Sequence, residues 1–282
     1  MIIVLRDADF SAENIGKVEF NLELEEDTKA LLNIATKYPA TKENAYAQGL
    51  NKFVITLKDA GIYDKITTLV IPVMSASIEE CSYNLINGAS NPNTSYFTKL
   101  FALNEDGELY RTSESYTNEA THCAHAINHT YDNLCLFGYY NRKDGNGIDP
   151  IITARVNSWY GESNYLTYIA AGPAGQIAAG GASVLTASGG ALLSNTVART
   201  SAFVINYDGT NVRFKSEKYD RSGSYSNPTK TGALIGLYPL LKGKISAESQ
   251  GSMLMYGCGS KLTADEVVVL YDAIRDFCGL FV

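Results

Sequence analysis

Over 66–262 the chain offers short β-branched and aromatic runs cut by turn dipeptides, and no stretch with helical periodicity long enough to intervene. Asp106-Gly107, Asp144-Gly145 and Asp208-Gly209 each sit between such runs. Asp-Gly suits tight hairpins because both positions tolerate positive φ. The third case is the clearest: SAFVINY and NVRFKSE alternate on either side of the turn, which predicts a hairpin over 201–217. Many short strands without helices between them predict a mainly β, antiparallel sandwich rather than a parallel sheet. The 19 tyrosines fit the same reading, since tyrosine favours strands.

Helical spacing appears only outside that region. Residues 25–38 have helical character around Leu31, Leu32 and Ala35, with Pro39 as the expected stop. Over 42–60, Tyr46, Leu50, Phe53, Val54 and Leu57 recur on one helix face, and Gly61 supplies a C-terminal stop. At the other end Thr263 precedes Glu266 by three positions, a capping box, and Val267, Leu270, Tyr271, Ile274 and Phe277 form one apolar face. A face of that kind needs burial, so the helix over 263–278 is expected to close the sandwich. The resulting organisation is an N-terminal arm (1–24), a helical region (25–65), and a sandwich with its closing helix (66–282).

Several function classes are disfavoured by composition. With 23 basic and 30 acidic residues, a net charge of −7 and no Lys/Arg run, nucleic acid is not an expected partner. Residues 163–198 carry no charge, yet Pro173, Gln176, Asn195 and many glycines make a membrane span a poor reading. Arg6, Asp7 and Asp9 lie where a signal peptide would need its apolar run, so synthesis and retention in a cytoplasm are expected. The five cysteines are scattered and form no C-x-x-C pair, which predicts buried, reduced thiols.

Two motifs then carry a resemblance. Leu262, Thr263, Glu266, Leu270 and Tyr271 match an L-(S/T)-x-x-E-x-x-x-L-Y core, and Val204, Asp208, Gly209 and Thr210 match a V-x-x-x-D-G-T hairpin. Both resemble the laminin-G/concanavalin-A-like (jelly-roll) domains of bacteriophage virion proteins, and ADFSAENIGKV (8–18) resembles the opening of virion proteins from phages of gut Bacteroidales, including the crAss-like group. The resemblance implies a non-enzymatic fibre or decoration protein located in the virion. It further implies an arm that binds other virion proteins, a homotrimeric assembly, and a lectin-like sandwich for a host surface glycan.

His122, Cys123, His125 and His129 are zinc-type donors, but strand alternation separates His122 from His125 and His129, and one segment rarely builds a whole site. Asp144, Asn146 and Asp149 in KDGNGID have calcium-like spacing without the closing Glu, and turn chemistry explains them equally; calcium is the one cofactor left open. Glu105, Asp106 and Glu108 surround a predicted turn and read as a solvated tip rather than a rigid glycosidase pair. No G-x-S-x-G elbow or P-loop is present, so no enzyme is expected. The alternative is a glycan-active hydrolase or lyase on the same fold. Trp159, Tyr160, Tyr165 and Tyr168 cluster and could stack on sugar rings, against a competing role in core packing.

Overall fold

The computed structural model describes residues 22–89, 97–98, 100–112, 125–130, 133–142, 149–156, 165–172, 176–180, 200–208, 211–217, 220–224, 234–239 and 251–282. Two helices, α1 (Glu26–Ile34) and α2 (Ala45–Asp59), precede β1 (Ile66–Val70). Then come β2 (Phe101–Leu103), β3 (Leu109–Arg111), β4 (His125–Thr130), β5 (Leu134–Arg142), β6 (Asp149–Val156), β7 (Tyr165–Gly172) and β8 (Gln176–Gly180). The chain continues through β9 (Thr200–Tyr207), β10 (Asn211–Ser216), β11 (Asp220–Ser224), β12 (Leu234–Pro239) and β13 (Gly251–Gly259), and ends in α3 (Ala264–Cys278).

These strands form two antiparallel sheets. The first has eight strands in the order β11-β10-β9-β5-β13-β3-β2, with β1 also paired to β13. The second has five, in the order β4-β12-β6-β7-β8. The fold is therefore mainly β and antiparallel, as the turn-rich sequence predicts. The hairpin over 201–217 is present as β9–β10, where Asp208 accepts from the Asn211 backbone N–H at 2.7 Å and so holds the turn. Asp106-Gly107 likewise joins β2 to β3, with Gly107 at φ +81°. Asp144-Gly145 lies outside the described residues, and the strands on either side of it, β5 and β6, belong to different sheets.

The first sheet is buried on both faces. On β5, Cys135, Phe137 and Tyr139 join Ala202 and Val204 of β9 in one core with Leu50, Phe53 and Leu57 of α2 and with Leu270 and Ile274 of α3. The alternate residues Leu134, Leu136, Phe203, Ile205, Phe214 and Tyr256 are fully buried on the opposite face. Helices thus cover one side, and the other is the inner face of the sandwich.

Local chemistry explains each helix. Asn44 caps α2, its side chain accepting from the N–H groups of Tyr46 and Ala47. Asn51 of α2 is fully buried and accepts from the Glu25 N–H (2.8 Å) and the Thr28 hydroxyl (3.0 Å), so α2 holds the start of α1. Helix α1 ends at Ile34, before the Pro39 stop, because the Thr36 N–H donates to Glu80 and the Lys37 N–H to the Met74 carbonyl. On α3 the Thr263/Glu266 capping box is formed, and Val267, Leu270, Tyr271, Ile274 and Phe277 are all buried. Asn206 of β9 fixes the entry to this helix, accepting from Leu262 N at 2.7 Å and donating to Leu262 O at 2.9 Å.

The outer edge of β1 is also protected. Asn84 accepts from the Leu69 N–H at 3.0 Å and donates to the Thr67 carbonyl at 2.7 Å, occupying hydrogen-bonding positions that another strand could otherwise use.

Candidate functional site

The second sheet carries the sugar-type aromatics, and its register decides which of them share a face. Tyr168 pairs with Thr153 on β6 and with Gly180 on β8, and Thr153 pairs in turn with Tyr238 on β12. One row therefore runs Gly180, Tyr168, Thr153, Tyr238. The neighbouring row runs Tyr165, Arg155, Gly236, Ala126.

A bulge makes that second row. Ala154 pairs with Thr167 but Arg155 pairs with Tyr165, leaving Leu166 as the extra residue. A regular ladder would have set Leu166 opposite Arg155 and placed Tyr165 on the other face from Tyr168. With the bulge, Tyr165 and Tyr168 lie opposite Arg155 and Thr153, two positions apart on β6, and so share a face.

The sequence pattern tells the two faces apart. Ile152, Ala154 and Val156 alternate with Thr153 and Arg155 along β6, and register aligns them with Ile169 of β7 and Leu237 of β12. Register therefore places Ile152, Ala154 and Val156 on one face of the second sheet and Thr153, Arg155, Tyr168 and Tyr238 on the other. Neighbouring strands stand ~4.8 Å apart, so Tyr168 and Tyr238, two strands apart, are separated by roughly 10 Å at the backbone.

Of the sequence candidates, Tyr165 and Tyr168 are thus brought together on β7, while Trp159 and Tyr160 lie outside the described residues. Sequence reasoning missed Tyr238 and Arg155. The alternation in DPIITARV marks Arg155 as facing away from the aliphatic side, but nothing local links it to β12. Asp149 opens β6, and Asp144 and Asn146 lie outside the described residues, as do His122 and Cys123. His125 and His129 lie on β4. Among the described residues no group of three His, Cys, Asp or Glu side chains could hold a metal.

Glu108 departs from the expected solvated tip. It is 2% exposed, because its carboxylate accepts from Asn141 Nδ2 (2.7 Å), Asn104 Nδ2 (2.8 Å) and Ser252 Oγ (2.6 Å). Those partners tie the β2–β3 hairpin to β5 and β13. A buried carboxylate with three internal donors is an anchor. Glu105 and Asp106 remain exposed at the turn.

The four described cysteines, Cys81, Cys135, Cys258 and Cys278, are free and buried, as the scattered spacing predicts. Burial pushes the Cys81 and Cys258 thiols up to about 12 and those of Cys135 and Cys278 well above the usual range, which makes them poor nucleophiles. Among the described residues no helix is long and apolar enough to cross a membrane.

No protein-family model matches the chain, and no curated protein sequence matches it significantly. Solved structures give distant likenesses. A Trypanosoma rangeli sialidase, in complex with a difluoro-KDN, aligns at 8% identity over 81% of this chain and 39% of its own, with a TM-score of 0.44. The chain thus matches about two fifths of that sialidase. Alginate lyase A1-II′, a member of polysaccharide lyase family 7, aligns at 9% identity over 71% of this chain and 96% of its own, with a TM-score of 0.40. The binding domain of botulinum neurotoxin serotype D aligns at 12% identity over 74% and 52%, with a TM-score of 0.45. The architecture rests on the strand order and register given above.

Proposed function

We propose that the protein is a non-enzymatic glycan-binding β-sandwich whose ligand lies across the Tyr165, Tyr168 and Tyr238 face of the second sheet. The observation that carries this is the β7 bulge, which aligns Tyr165 with Tyr168 on the face that also holds Tyr238. Tyrosine suits such a face, since its ring packs on the apolar side of a pyranose and its hydroxyl bonds sugar hydroxyls. Strands hold such groups more rigidly than loops do. The buried, fully partnered state of Glu108 supports the non-enzymatic side, as it removes one sequence candidate for acid or base.

The setting we propose is a bacteriophage particle, where the arm and helical region attach the protein to other virion proteins and the sandwich projects as part of a homotrimer. Support comes from the sequence motif around α3, whose Thr263/Glu266 box forms and whose Leu270 and Tyr271 are buried. Passing the protein over immobilised capsular polysaccharides tests the binding reading. Retention without new reducing ends or unsaturated ends is the expected result, with Tyr168→Ala weakening retention at least tenfold. Release of such ends would overturn the non-enzymatic assignment. Mass spectrometry of purified particles and sedimentation of the isolated protein test the virion setting and the trimer; absence from particles, or a stable monomer at micromolar concentration, would contradict them.

A further inference from the structure

We propose that Asn87 is a site of uncatalysed covalent conversion, in which the Gly88 backbone nitrogen attacks the Asn87 side-chain amide, and that the conversion loosens the segment covering the outer edge of β1. The sequence has two Asn-Gly pairs, at 87 and at 146, and the second lies outside the described residues. Residues 87–89 are exposed. Gly88 holds φ +67°, a backbone conformation that favours glycine, so the turn itself demands the residue whose nitrogen no Cβ shields. Asn87 Oδ1 accepts from the Ala89 N–H at 2.9 Å, which draws electron density from Cγ, the atom under attack. The Gly88 N–H donates to the Asn84 carbonyl at 2.8 Å, so attack follows opening of the turn, and exposed turns open at far less cost than a core.

Water is the only other reactant. The Gly88 nitrogen loses its proton and bonds to Cγ, the side-chain Cγ–N bond breaks, and ammonia leaves behind a succinimide ring. Water then opens the ring. Attack at Cγ restores the ordinary backbone and gives aspartate; attack at the Asn87 backbone carbonyl gives isoaspartate, whose main chain runs through Cβ and Cγ and is one carbon longer. The turn where this happens is closed by the Asn84 N–H donating to the Ala89 carbonyl at 2.9 Å and by the Gly88 N–H donating to the Asn84 carbonyl. It holds Asn84 against β1, where the side chain accepts from the Leu69 N–H and donates to the Thr67 carbonyl, and the Leu85 N–H donates to the Leu69 carbonyl at 2.8 Å. A succinimide leaves Gly88 without its N–H, and isoaspartate places an extra carbon between Asn84 and Ala89. Either change breaks the closure of the turn and frees edge groups of β1 for another strand.

The test ages the full chain in mildly alkaline buffer at physiological temperature and maps its peptides by mass spectrometry, with isoaspartate labelled by isoaspartyl methyltransferase. Asn87 should convert at least tenfold faster than Asn33 and Asn211, which are also exposed but precede Ile34 and Val212. This comparison is made within the wild-type protein and needs no variant to fold. Hydrogen exchange over 66–70, read before and after ageing, should show the Leu69 N–H losing at least tenfold in protection. Aged Asn87→Gln should keep that protection, because glutamine would have to close a larger ring and does so far more slowly. Conversion of Asn87 no faster than that of Asn33 and Asn211 would overturn the site. Conversion with Leu69 protection unchanged, or an equal loss of protection in aged Asn87→Gln, would overturn the release of the β1 edge. No sugar enters either measurement, so the glycan-binding reading stands or falls separately.

Discussion

Truncating Leu270 to alanine tests the docking of α3, on which the helical side of the fold depends. Leu270 is 1% exposed and lies in the core that joins α2, α3 and the outer face of the first sheet. The substitution removes three carbons. At ~0.8 kcal/mol for each buried methylene, the lost transfer energy is about 2.4 kcal/mol. The cavity left behind adds to this, because a position inside a buried core, on a helix held by a capping box, can collapse only in part. The total should fall at about 3–4 kcal/mol, inside the range of ~2.7–5 kcal/mol seen for buried leucines. Urea unfolding followed by far-UV circular dichroism should show a lower midpoint with an unchanged slope. A Leu270→Ala protein with the wild-type midpoint would refute the docking and with it the shared core.

Other perturbations probe separate parts of the account. Glu108→Ala leaves three donors without their acceptor and should cost at least ~2 kcal/mol in urea unfolding, with sugar retention unaffected. Gly257→Ala would drive a methyl group into the Thr68 carbonyl and to 2.5 Å from Phe137 Cζ, and the fixed ladder cannot move away; a loss of ~1–3 kcal/mol is expected in the same measurement. Burial by itself would raise the Glu266 carboxyl, but hydrogen bonds from Lys65 and from Thr263 outweigh it and hold the group below its ordinary 4.5. The unfolded chain therefore takes up this proton first as pH falls, so the contribution is complete above pH 4.5 and is lost as pH drops through the folded value. Glu266→Gln should flatten that part of a stability-against-pH curve, and an unchanged acid limb would contradict the pairing.

Features set by neighbours in sequence could be read before the structure. The apolar spacing of α2 and α3, the capping box and the β9–β10 turn involve residues within a few positions of one another, and each lies where expected. Features set by distant partners could not. Helix α1 stops early because Thr36 and Lys37 find partners at Glu80 and Met74. Asp144-Gly145 has the same dipeptide chemistry as two true hairpins, but which sheet the next strand joins is not written in the turn. Glu108 looked solvated because Asn141 and Ser252 lie 33 and 144 residues away. For the candidate site, Tyr165 and Tyr168 could be named from composition, but their common face depends on a bulge, and Tyr238 and Arg155 join them only through pairing across β6 and β12.

Nitration of tyrosines by tetranitromethane, followed by peptide mass spectrometry, tests the central claim most directly, since the protein supplies its own controls. Tyr207 and Tyr256 are 1% and 0% exposed and should stay unmodified in the native state. Tyr165, Tyr168 and Tyr238 should be modified readily, and a retained polysaccharide at saturation should protect all three. Tyr168 as resistant as Tyr256 in the free protein, or nitrated equally with and without bound polysaccharide, would contradict the proposed binding face.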